Sequence, residues 1–138
     1  MFGWFGRKKE RREFPDNVSA FEHACSCGYA ANIDALIPAL VEEEGGLGQD
    51  GERTYLLRIA DKEGPREVWS CTLKETLGYP KAGEFVGFRI VMIADDLPEP
   101  ANLLGFIACR LEPVHVSGKG WIIGKNFTPD NIKKAIRF

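Results

Sequence analysis

The sequence predicts an α+β domain: an N-terminal helix packed on a small, strongly bent antiparallel sheet or a partly open β-barrel of five to six strands, with a short helix closing the chain. Three observations carry this reading. One segment near the start has apolar residues three and four apart, the signature of a helix face. From about Ala35 onward the apolar pattern has a period of two and is broken at roughly ten-residue intervals by glycine, proline and acidic turns, which is how short strands of a sandwich or barrel read. A cap sequence, Thr128-Pro129-Asp130, stands just before the chain's last residues.

The helix is bounded by recognisable stops. Phe14-Pro15-Asp16-Asn17 breaks the preceding chain and offers a carboxylate or amide to the first free backbone N–H groups. Val18, Phe21, Ala24 and Cys25 follow on one stripe. Gly28 ends it, because glycine takes the left-handed conformation of a helix terminus without steric cost. The predicted helix therefore runs from Asn17 to Cys27.

The strands follow in order. Leu36, Ile37, Leu40 and Val41 form an apolar run interrupted by Pro38, whose missing N–H suits a strand start or an edge. Glu42, Glu43 and Glu44 lead into the glycine-rich stretch 45–51. It lacks the Lys and Ser or Thr that open a helix after a phosphate loop, and so reads as a hairpin connection. Thr54 to Ile59 places Tyr55, Leu57 and Ile59 on one face, and Val68 to Leu73 places Trp69, Cys71 and Leu73 on one face. Phe85 to Ala94 is apolar on both faces except at Gly87 and Arg89, as a central strand is, and the mid-strand glycine implies a bend or a close backbone approach. Leu103 to Leu111 and a short Trp121-Ile122-Ile123 strand complete the sheet. The core read from these patterns is Phe21, Leu40, Leu57, Ile59, Trp69, Leu73, Val86, Phe88, Ile90, Met92, Ile107, Leu111 and Ile123. The final helix begins at Thr128, with proline in its first turn.

Composition narrows the function. The 138 residues suffice for one domain, expected over 15–138, that folds without disulfide staples. Apolar content of 44% and charged content of 28% are those of an ordinary folded protein. The net charge of −2 gives no general attraction for polyanions, so nucleic acid is not an expected partner. No stretch approaches the roughly 20 apolar residues of a membrane span, and no signal-peptide core precedes the domain. A cytoplasmic location with reduced thiols is the expectation.

Two segments carry candidate chemistry. His23, Cys25 and Cys27 lie within five positions. On a helix, residues two apart point about 200° away from each other, so only His23 and Cys27 share a side. Two ligands do not make a structural zinc site, and Cys71 or Cys109 would have to supply the rest. The spacing is also not that of a thioredoxin-type motif. The reading is therefore small side chains packed in or near a core, with His23, Cys25 and Cys27 kept as weak metal candidates and no cofactor or catalytic residue assigned. His115, near Ser117, reads as a solvent-facing strand residue or one making a single structural hydrogen bond, and the acidic loops lack the spacing of a calcium site.

The other segment is the start of the chain, expected as a flexible aromatic and basic arm over 1–14. Phe2, Trp4 and Phe5 are followed by Arg7, Lys8, Lys9, Arg11 and Arg12. Aromatic rings favour a membrane interface and neighbouring cations are drawn to anionic lipid. The function that follows is a non-enzymatic binding or adaptor module for a protein partner, peripherally attached to a membrane through its arm. The alternative is a small metal- or thiol-dependent protein built on His23, Cys25 and Cys27.

Overall fold

The computed structural model describes residues 10–49, 51–72 and 78–127. Its elements are β1 (Arg11–Glu13), α1 (Asn17–Cys27), β2 (Leu36–Leu47), β3 (Arg53–Ile59), β4 (Arg66–Cys71), β5 (Phe85–Ile93), β6 (Leu103–Val116) and β7 (Gly120–Asn126). The expected final helix and Leu73 lie outside the described residues.

The helix has the limits its sequence implies. Asp16 accepts a 2.7 Å hydrogen bond from the Ser19 N–H, and Gly28, at φ 70°, donates its N–H to the Ala24 carbonyl. The buried face is Ala20, Phe21 and Ala24, while Val18 is exposed. The contact stripe is thus rotated from the expected one, because α1 lies across β2, β5 and β6 and small Ala20 lets it approach closely.

Five strands close into a barrel. Antiparallel pairing runs β4–β3–β2–β5–β6, and one parallel pair, Cys71 with Phe106, joins β4 back to β6. The expected bent sheet or partly open barrel of five to six strands is a closed five-stranded barrel, with β1 and β7 added to the far half of β6. That half of the fourteen-residue β6 is the middle strand of a small annex outside the barrel. The end of the expected flexible arm is ordered here: Arg11, Arg12 and Glu13 pair with Val116, His115 and Val114. Three charged residues carry no apolar alternation, so their pairing leaves no period-two signal.

Register fixes which side chains fill the barrel. Ile37 pairs with Phe88 and Ala39 with both Val86 and Ile59, while Leu57 pairs with Val68 and Tyr55 with Ser70. All of these are buried. The Tyr55 hydroxyl donates to the Pro80 carbonyl at 2.9 Å, so its polar end is satisfied inside. The opposite faces of β2, β5 and β6, with Leu40, Phe85, Cys109 and Leu111, form a second apolar layer under α1 and the annex.

Four expected core positions differ. Trp69 is 44% and Met92 50% exposed, Ile123 is exposed as well, and Leu40 is only partly buried under α1. In β4 both alternations are plausible, since Val68 competes with Trp69. The pairing of Val68 with Leu57 selects the face carrying Val68 and Ser70, and a one-residue change of phase turns every side chain over. At Met92 an irregularity between Ile90 and Met92 breaks the alternation. The carboxylates Glu42, Glu43 and Glu44, expected to leave the sheet, continue β2 through two register shifts.

Candidate functional site

Three places on this framework combine chemistry with access. The first contains the histidines. Four-residue spacing on α1 brings Cys27 Sγ to 3.7 Å from His23 Nε2. Cys25 points instead toward Leu40 and Arg58, and burial pushes its thiol pKa up. Cys71 lies against the Gly105 carbonyl at 3.7 Å, and Cys109 is sealed in the second apolar layer, its pKa pushed up to about 12 by burial. All four thiols are free. Among the described residues, no three histidine, cysteine or acidic side chains are placed to hold a metal ion together.

His23 and His115 belong instead to an aromatic stack. Ring centroids lie 5.1 Å apart for Phe14 and His23, 5.3 Å for His23 and His115, 4.9 Å for His115 and Trp121, and 4.8 Å for Trp121 and Phe85. Arg12 sits over the Phe14 ring at 4.8 Å. Burial holds the His23 pKa below its usual value, helped by the charge of Arg12 and by His115. The stack therefore ties β1, α1, β6 and β7 together with the His23 imidazole neutral near pH 7. Ser117 donates its backbone N–H to the Glu10 carbonyl, extending the β1–β6 contact past the strand.

The second place is a half-open cleft of about 170 Å³ beside this stack, lined by Tyr29, Leu36, Pro38, Gly87, Leu111, Lys119, Gly120 and Trp121. Each element contributes for a local reason. Tyr29 follows the helix cap and is held by its N–H to the Ala60 carbonyl and by its own carbonyl, which accepts from Lys62. Pro38 and Gly87 face each other across β2 and β5. A Cβ on Gly87 would stand 2.9 Å from Cys109 Sγ and 3.3 Å from Leu36, so only glycine lets these walls come this close. The Trp121 indole donates to the Tyr29 hydroxyl at 2.9 Å, clamping β7 to the end of α1. Burial raises the Tyr29 pKa, so the phenol stays protonated.

The third place is a stripe on the outside of the barrel. Leu56 pairs with Trp69 across β3 and β4, and Leu104 pairs with Met92 across β6 and β5. Trp69, Met92 and Leu104 are 44%, 50% and 38% exposed, and Leu56 beside Trp69 is half-buried. Acidic residues edge the stripe. The turn after β5 holds Asp95 and Asp96, and Glu99 accepts a 2.7 Å hydrogen bond from the Glu67 N–H.

Neither the cleft nor the stripe stands out in the sequence. Tyr29, Gly87, Lys119 and Trp121 lie far apart along the chain, and the stripe is made of residues whose alternation mimics core. The one usable signal was the mid-strand Gly87. Of the expected contact residues, Arg11 and Arg12 are exposed on β1, while Phe2, Trp4, Phe5, Arg7, Lys8 and Lys9 lie outside the described residues. No helix among the described residues is long and apolar enough to cross a membrane. Comparison with protein-family models, with curated proteins and with solved structures finds no match.

Proposed function

We propose that the chain is a non-enzymatic binding module that docks a protein partner on the stripe of Leu56, Trp69, Leu104 and Met92. The exposure of Trp69, Met92 and Leu104 on the outside of the barrel carries the reading. Apolar side chains scattered singly over a surface are ordinary, but large ones set in cross-strand pairs beside a charged edge form the kind of patch that marks a contact site. Tryptophan in such a patch is the residue type that most often dominates binding energy. The acidic border made by Glu67, Asp95, Asp96 and Glu99 favours a partner segment that is apolar with basic flanks, and electrostatics of this kind chiefly raise the association rate.

A Trp69→Ala variant is expected to weaken the partner complex by at least about thirtyfold in Kd, with the fold retained because the side chain is on the surface. Affinity capture by the wild-type chain, repeated with Trp69→Ala and with Leu104→Asp, checks this. A partner held equally by all three forms would remove the stripe from the interface.

The arm supports a second contact. Pairing of β1 with β6 fixes its root on the annex, with Arg11 and Arg12 exposed there. Phe2, Trp4, Phe5, Arg7, Lys8 and Lys9 precede that root, and this composition suits reversible attachment to anionic lipid. The full chain is expected to co-sediment with phosphatidylserine vesicles at low salt and to release at physiological salt, whereas a chain starting at Glu10 stays in the supernatant. Equal behaviour of the two chains would refute lipid attachment through the arm.

A further inference from the structure

We propose that the cleft between Tyr29 and Trp121 is a binding site for a small monocarboxylic acid carrying one ring or a short branched chain. The stripe plays no part in this, so either reading can fail alone.

Size comes first. The space is about 170 Å³, and an apolar cavity of about 150 Å³ accommodates a benzene-sized molecule. One six-membered ring and a short acidic arm fit, and a peptide backbone with side chains on both sides does not. The walls then select the body of the ligand. Leu36, Pro38, Leu111 and Trp121 present apolar surface, and Gly87 keeps the floor low between β2 and β5. A flat ring against the Trp121 indole buries area on both partners.

The polar groups select its head. Lys119, in the turn between β6 and β7, is exposed at the cleft and has no carboxylate within ion-pair distance among the described residues. Its backbone N–H is tied to the Val116 carbonyl at 2.9 Å, which fixes the turn while leaving the ammonium group to reach a ligand. On the inner side, the Tyr29 hydroxyl accepts the Trp121 indole proton. Its own proton, next to Cys27, is available to a stronger acceptor such as a carboxylate. A cation and a phenol donor converging on an apolar slot suit an acid, and an amine would meet the charge of Lys119.

The test follows the amide and indole signals of the full chain by two-dimensional NMR during titration with phenylacetate, phenylacetamide and phenethylamine. Phenylacetate is expected to shift the Trp121 indole and the Gly87 and Gly120 amides saturably below about 10 mM, with phenylacetamide at least about threefold weaker and phenethylamine weaker still. Lys119→Gln, a surface change that leaves the fold intact, is expected to bring phenylacetate to the level of phenylacetamide. Absence of saturable shifts, or shifts centred away from these residues, overturns the site. Equal affinity for acid and amide, unchanged by Lys119→Gln, overturns the assignment of the ligand as an acid.

Discussion

Gly105→Ala is expected to destabilise the barrel by about 3 kcal/mol or more, read as a lower urea midpoint at unchanged slope. Gly105 sits on β6 opposite Ile90, where β5 and β6 approach so closely that an added Cβ would run into the Arg89 carbonyl oxygen and come within 2.7 Å of the Phe88 ring. A flexible side chain can turn away from a new methyl group. A strand carbonyl cannot, so the two strands with the most extensive contact in the molecule have to part locally. A midpoint within the error of wild type would mean that β5 and β6 do not lie as described.

Phe88→Ala is expected to cost about 3–5 kcal/mol, the range for a buried aromatic ring truncated in a core. Phe88 is fully buried inside the barrel, paired with Ile37 on β2 and Ile107 on β6, so its removal leaves a void bounded by strands that cannot collapse into it. Against a typical total of about 5–15 kcal/mol, either substitution consumes a large fraction of the stability. The pair also separates two causes of strain at Gly105. Removing the ring takes away one of the two obstacles, but the Arg89 carbonyl remains. The double variant is therefore expected to be less stable than Phe88→Ala alone, with the two effects less than additive. A double variant as stable as Phe88→Ala would show that the ring, and not the backbone, is what excludes a Cβ.

How far the sequence carries depends on whether the deciding force is local. The limits of α1 were legible because Asp16 and Gly28 settle the ends by hydrogen bonds and backbone freedom within a few residues. The inner face of β3 was legible because one alternation is clearly more apolar, whereas β5 is apolar on both faces and only Gly87 and Arg89 mark Val86, Phe88 and Ile90 as the inner set. The face of β4 was not, because Val68 and Trp69 both look like core and the choice is made by pairing with β3. Barrel closure rests on Cys71 meeting Phe106, 35 residues apart in number, which no periodicity encodes. The helical spacing of His23 and Cys27 correctly placed them together, yet the stack they join draws Phe14, His115 and Trp121 from three other places in the chain. The cleft needs that same convergence.

The single parallel pair that closes the barrel also has a bearing on solubility. It leaves most of β4 as an edge, with backbone groups turned outward beside an exposed apolar stripe, the combination that recruits a second strand and starts aggregation. The loop after β5 occupies that edge: the Pro100 carbonyl takes the Trp69 N–H at 3.1 Å, and the Glu99 carboxylate takes the Glu67 N–H. Pro98 and Pro100 have no N–H of their own to offer an incoming strand, and Asp95, Asp96 and Glu99 surround the place with like charge. The acidic proline loop thus acts as a guard, denying the backbone of β4 to other copies of the chain while the Trp69 side chain stays exposed.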